Sequence, residues 1–160
     1  MNEDRMPNVV EGGLQGKRLR IGIVVSKFNS EVTQELLTAA VDALKERGVE
    51  DGDIEIAKVP GAFEIPLVAK RMAQSGHFHG IIGLGAVIRG ETLHFEHISA
   101  SVSTGLSKVA LETGIPISFG VLTTDTVQQA LDRANPKKYN RGTQAALTVL
   151  EMVNLLRELK

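Results

Sequence analysis

Residues 83–97 read GLGAVIRGETLHFEH and carry the chain from a buried strand into a helix. Residues 81–88 are apolar apart from glycine, with β-branched Val87 and Ile88, the composition of a strand covered on both faces. Arg89, Gly90, Glu91 and Thr92 break the run. From Phe95 onward, Ile98, Val102, Leu106 and Val109 recur at spacings of three and four and mark a helix burying one stripe. The first turn of such a helix has unpartnered backbone N–H groups at the positive end of its dipole, so it attracts anions. With Thr92 as N-cap, Gly90 to Thr92 would offer amides and a hydroxyl to a phosphate. His94 falls in the same turn. An imidazole at the positive end of a helix is favoured in its neutral form, which can accept a proton. Two readings stand: a general base beside a phosphate site, or a polar residue at an ordinary helix start. His94 and His97, one turn apart, also suit a metal, but no third ligand has a recognisable spacing and the chain has no cysteine.

A chain of 160 residues can bury a substantial core, and residues 1–160 are expected to form one domain, with 1–12 as an N-terminal arm. Without cysteine, disulfides and thiolate metal sites are excluded and a cytoplasmic location is expected. A formal net charge of −1, with both signs mixed along the chain, leaves no basic footprint for nucleic acid and no polybasic run for a membrane. The start MNEDRMPNVVEGG has no apolar stretch of signal-peptide length, and no apolar run approaches a membrane span. One tyrosine, five phenylalanines and no tryptophan give no stacking platform for single-stranded nucleic acid. The expected partner is a small molecule or another protein.

In chain order, Val9 and Val10 suggest a short edge strand that pairs with another subunit, closed off by Gly12, Gly13 and Gly16. Residues 19–25, LRIGIVV, read as a central parallel strand. After the turn at residues 26–30, Val32, Leu36, Leu37, Ala40, Val41 and Leu44 trace a helix that Gly48 ends. Phe28 in that turn is either tucked under the helix or stacks on a planar ligand. The turn has neither GxGxxG nor a P-loop pattern, which weighs against the common nucleotide sites. Residues 53–59 alternate apolar and charged and suit a strand nearer an edge. Ala62, Phe63 and Glu64 then precede a helix marked by Ile65, Val68, Ala69 and Met72. Glu64 either complements the helix dipole or accepts hydrogen bonds from ligand hydroxyls. His77 and His79 read as solvated loop residues at the opposite end of the sheet. Residues 115–122 give a fourth strand carrying Phe119, and a short helix follows through Ala134, capped from among Thr123, Thr124, Asp125 and Thr126. Arg133 is a dipole partner or an anion ligand. The last helix, residues 143–159, is apolar on most of its circumference, which suggests contact with a second subunit.

Repeated strand–helix units of this length imply a parallel sheet with helices on both faces. Ligands in such folds bind beyond the carboxyl ends of the strands. Phe28, Ala62 to Glu64, Ala86 to Thr92 and Phe119 are all expected at that edge.

IVVSKFN, VPGAFEIP, GAVIRGETLHFEHI, FGVLTT and ALDRA, in this order and spacing, closely resemble the lumazine synthase family of riboflavin biosynthesis. The resemblance implies a three-layer, flavodoxin-like α/β sandwich around a central four-stranded parallel sheet. It implies condensation of 5-amino-6-(D-ribitylamino)uracil with 3,4-dihydroxy-2-butanone 4-phosphate to 6,7-dimethyl-8-ribityllumazine, phosphate and water, with no metal or organic cofactor. By resemblance, Phe28 stacks on the pyrimidine and Asn29 lines the pocket. Ala62, Phe63 and Glu64 hold the ribityl chain, while Ala86, Val87 and Ile88 meet the pyrimidine edge. Glu91, Thr92 and Arg133 receive the phosphate, His94 matches the family's proton-transfer residue, and Phe119 reaches the pocket of an adjoining subunit. The resemblance further implies sites between subunits of a homo-pentamer. The compact NPKKYNRG connection favours a 60-subunit shell, and riboflavin synthase is a candidate partner. A non-catalytic cage or flavin-binding relative is the alternative. His97 stands where an aromatic is common and Arg141 where lysine is usual.

Overall fold

The two least polar runs form the inner strands. In the computed structural model, which describes residues 7–90 and 94–159, β1 (Ile21–Ser26) and β3 (Gly80–Ile88) are buried along their whole length. β2 (Ile54–Val59) and β4 (Ile117–Thr124) flank them, all parallel, in the order β2-β1-β3-β4. β2 takes the outer position its alternating charges suggest, and Ile56 there stays 41% exposed.

Helices α1 (Ser30–Glu46), α4 (Val127–Arg133) and α5 (Arg141–Glu158) cover one face, and α2 (Ile65–Gln74) with α3 (Phe95–Thr113) the other. Strand side chains alternate between these layers. Ile21, Ile23, Ile82 and Leu84 meet Leu36 and Leu44 of α1 and Val149 and Leu150 of α5. Val24 and Ile81 meet Ile65, Ala69 and Met72 of α2 and Val102 and Leu106 of α3. Burying each such aliphatic side chain is worth about 1.5–3 kcal/mol relative to leaving it in water. The expected three-layer, flavodoxin-like α/β sandwich is therefore what the chain forms.

Several boundaries differ from the sequence reading, each for a local reason. β4 begins at Ile117, not at residue 115, because Pro116 has no N–H to donate to a ladder and only its carbonyl joins, accepting from Ile81 N at 2.9 Å. Phe119 consequently pairs with Gly83, well below the carboxyl rim where Ile88 pairs with Thr124. The expectation that Phe119 lies at that rim is corrected: it sits 41% exposed on the outer edge strand. α5 begins before residue 143 because Asn140 caps it, its Oδ1 accepting from Gly142 N at 2.7 Å and Thr143 N at 3.2 Å. Within α5, Ala145, Ala146, Val149, Leu150 and Val153 are buried inside the chain, and Met152 and Leu156 form its exposed apolar flank.

Val9 and Val10 form no strand within the described chain. From residue 12 the segment is fastened to α5: Asn154 Nδ2 donates to Gly13 O at 2.8 Å and to Gln15 O at 2.9 Å. Gly12 has no room for a side chain, since a Cβ there would collide with the Glu151 carbonyl.

His79 is not the solvated loop residue expected. It is partly buried immediately before β3, its N–H donates to Arg20 O at 2.8 Å, and its ring Nδ1 accepts from Arg20 N at 2.9 Å. Burial and then the charges of Arg20 and Arg157, with a smaller contribution from His77, hold its pKa below the ordinary value, against an opposing pull from Asp53. The fold holds the neutral ring, so the stability it lends is present above the ordinary value of 6.5 and is lost as pH falls through the lowered folded value. His79→Gln, which offers an amide oxygen to the same donor, is expected to flatten the fall in urea-unfolding free energy between about pH 7 and about pH 5. An unaltered slope would show that His79 does not govern it.

Candidate active site

The connection after β1 goes to α1 on one face, and that after β3 goes to α3 on the other, so β1 and β3 flank the point where the sheet's winding reverses. Their pairing stops at Val25 with Leu84. Over residues 85–88, β3 thus has no strand partner on its β1 side. A cavity of about 260 Å³ opens there, lined by Phe28, residues 61–64, Ala86, Val87, Ile88 and, from α3, Ile98.

Each wall is positioned by its own chain. After β1, Lys27 N donates to Val59 O at 2.8 Å and Phe28 N to Pro60 O at 3.2 Å, which binds this turn to the end of β2. Asn29 then adopts a left-handed conformation, with φ 62° and ψ 49°, and its Nδ2 donates to Ala86 O at 2.9 Å. That bond spans the gap between β1 and β3. Phe28 is left 58% exposed over the cavity and is not tucked beneath α1. After β2, Pro60 and Gly61 lead into a 3-10 turn, Ala62–Glu64, that places Ala62 inward, leaves Phe63 exposed, and sets Glu64 at the N-cap position of α2.

A second, polar cavity of about 480 Å³ lies across the first turn of α3, lined in part by Arg89, Phe95, Glu96, Ser99, Asp125 and Arg133. Ile98 faces the first cavity while Phe95, Glu96 and Ser99 face the second, so one helical turn divides them. His94 occupies the N-cap position of that turn, and its carbonyl accepts from Ile98 N at 2.8 Å. His94 is exposed, with its ring centroid 6.2 Å from that of His97. Glu91 and Thr92 lie outside the described residues. Arg133 closes α4, where it complements the helix dipole and also lines the second cavity, so both sequence readings meet there.

Arg89 is the site residue that sequence reasoning passed over as a turn breaker. Its Nε donates to Asp125 Oδ1 at 2.8 Å, its Nη1 lies 3.5 Å from Glu96 Oε1, and its Cζ is 4.8 Å from the Phe95 ring centroid. The hydrogen bond to Asp125 above all strengthens its hold on its proton. Only the pairing of Ile88 with Thr124 brings these partners, 36 positions apart, together.

A family model for 6,7-dimethyl-8-ribityllumazine synthase matches residues 18–157, which contain every residue of both cavities. The chain belongs to the lumazine synthase family. A 6,7-dimethyl-8-ribityllumazine synthase of Syntrophus aciditrophicus (strain SB) is 54% identical over 154 residues, covering 96% of this chain and 100% of that protein. Within this lumazine synthase fold, Phe28, Ala62, Phe63, Glu64, Ala86, Val87 and Ile88 meet in one cavity and Arg133 lines the other, while Phe119 lines neither. Asn29 is absent from the cavity lining and acts from behind it, through the Ala86 carbonyl.

Asn29→Ala is expected to lower unfolding free energy by about 2 kcal/mol, combining the lost hydrogen bond with the cost of a left-handed alanine. Asn29→Gly accepts the backbone angle and should lose about 1 kcal/mol. Equal losses in denaturant titrations would mean that the backbone angle is not part of the cost.

Proposed function

We propose that this chain catalyses the family's reaction, joining 5-amino-6-(D-ribitylamino)uracil to 3,4-dihydroxy-2-butanone 4-phosphate. The observation that carries the reading is the aromatic-walled cavity set beside a polar one that holds Arg133, across a single helical turn. A planar pyrimidine stacks on Phe28, whose face is exposed and whose backbone is pinned at both ends. The unpaired edge of β3 at residues 86–88 supplies main-chain groups to the ring, and Glu64 accepts hydrogen bonds from the ribityl hydroxyls. The phosphate goes to the second cavity. Arg89 there is engaged by Asp125 and Glu96, and Arg133 forms no ion pair among the described residues, so Arg133 is the guanidinium open to an incoming anion. The family resemblance adds Glu91 and Thr92, which lie outside the described residues, as further phosphate ligands.

In the proposed sequence the ring amine adds to the ketone and water leaves, forming an imine. A proton is then lost from carbon as the phosphate departs with its C–O electron pair. The enol left by that elimination takes up a proton at its terminal carbon and becomes a ketone, onto which the ribitylamino nitrogen closes, releasing a second water. These steps need no strong nucleophile, so holding two reactants in contact supplies several kcal/mol of the acceleration. His94, at the head of the turn that separates the two subsites, carries the proton and adds about 100-fold.

The proposal extends to assembly. Phe119, exposed on the edge strand, completes a neighbouring subunit's pocket within a homo-pentamer, and the apolar flank of Met152 and Leu156 packs between subunits, as does the segment around Val9. Twelve such pentamers form a 60-subunit shell, with riboflavin synthase as a partner and the cytoplasm as the location.

Mixing the protein with both substrates should produce lumazine absorbance and stoichiometric phosphate. Tight flavin binding without phosphate release would instead identify a non-catalytic relative. His94→Ala is expected to reduce kcat about 100-fold with both KM values little changed; an unchanged kcat would remove His94 from proton transfer. Arg133→Ala should raise KM for the phosphate-bearing substrate at least about tenfold while leaving that for the pyrimidine nearly intact. Equal loss for both substrates would contradict the assignment.

A further inference from the structure

We propose that Arg89 is a positioning residue that sets the phosphate subsite, by clamping the turn between β4 and α4 to the first turn of α3. The proposal rests on the reading of the second cavity as that subsite. The ladder between β3 and β4 ends with Ile88 opposite Thr124, and Arg89 N donates to Thr124 O at 2.8 Å as its closing bond. Gly90 follows with φ 89°, a conformation that favours glycine, and the two chains part company. One leads to α3 and the other to α4.

The Arg89 guanidinium bridges the separation. It meets Asp125 on the α4 side at 2.8 Å, and on the α3 side it reaches Glu96 at 3.5 Å while lying over Phe95. Asp125 is in turn tied to α4, its N–H donating to Gln129 Oε1 at 2.9 Å. α4 is a seven-residue helix, a short rigid lever of about 10 Å, and its last residue is Arg133. The distance from Arg133 to the head of α3 is thus governed through Arg89. A lysine cannot reproduce this, because one ammonium cannot address two carboxylates in a plane and stack on a ring at once.

The carboxylates and guanidinium are all more than half exposed, at 54% for Arg89, 66% for Asp125 and 79% for Glu96. Such pairs contribute little to folding. Their loss is therefore expected in the placement of the anion ligands, where small displacements are costly, and not in global stability.

The test compares R89A, R89K and D125N with the unaltered full-length protein, using calorimetric titration with inorganic phosphate and steady-state kinetics with both substrates. R89A should bind phosphate about tenfold more weakly and raise KM for the phosphate-bearing substrate similarly, with KM for the pyrimidine held within about twofold. R89K should recover only part of the loss, and D125N, which leaves the arginine in place, should move in the same direction. Normal turnover by the unaltered protein with phosphate affinity unchanged in both R89A and D125N would overturn the clamp alone. So would equal loss for the two substrates. Inactivity of the unaltered protein toward the substrate pair would overturn the reading of the site itself.

Discussion

Two adjacent parallel strands whose outgoing connections must travel to opposite layers cannot stay hydrogen-bonded to their ends. In this fold β1 and β3 are that pair, and they part after Leu84. The opening is an outcome of winding direction, present before any side chain is chosen. What the sequence adds is the lining: an aromatic from the first connection, a short 3-10 turn from the second, and the strand end Ala86, Val87 and Ile88.

The opening must also be kept from collapsing or fraying. Asn29 does this with one hydrogen bond across it, adopting a backbone angle that most residues avoid. On the other flank, where β3 and β4 separate past Ile88 and Thr124, the span is made by charge instead. The two devices suit their surroundings. The first gap is partly buried and a neutral amide satisfies a carbonyl there, whereas the second is wet and a guanidinium can hold two carboxylates without a desolvation cost.

Much of this was legible in the sequence because it depends on local pattern. Uninterrupted apolar runs identify β1 and β3 as the inner strands, and alternation with charges puts β2 outside. The rule that ligands sit at the carboxyl rim then gathers Phe28, Ala62, Phe63, Glu64 and residues 86–88 before any coordinates are needed. What depends on register was not legible. Phe119 was expected at the rim but falls opposite Gly83, since the offset between β3 and β4 follows from Pro116 and not from hydrophobicity. The partnership of Arg89 with Asp125 requires the same offset. His79 resembled any histidine between two helix-and-strand signals, and only the backbone of Arg20, 59 residues away and just ahead of β1, gives it a role. Asn140 was overlooked as a cap because it sits in the polar connection ahead of the apolar pattern, and its amide is held there by donating to the Ala134 carbonyl at 2.7 Å.

The bond from Arg20 N to His79 Nδ1 also fixes where the imidazole's proton resides. With Nδ1 acting as acceptor, the ring is the Nε2–H tautomer, and neither nitrogen keeps a lone pair to offer. This histidine is therefore chemically quiet: a divalent metal or an acylating reagent would first have to prise apart the amino ends of two inner strands.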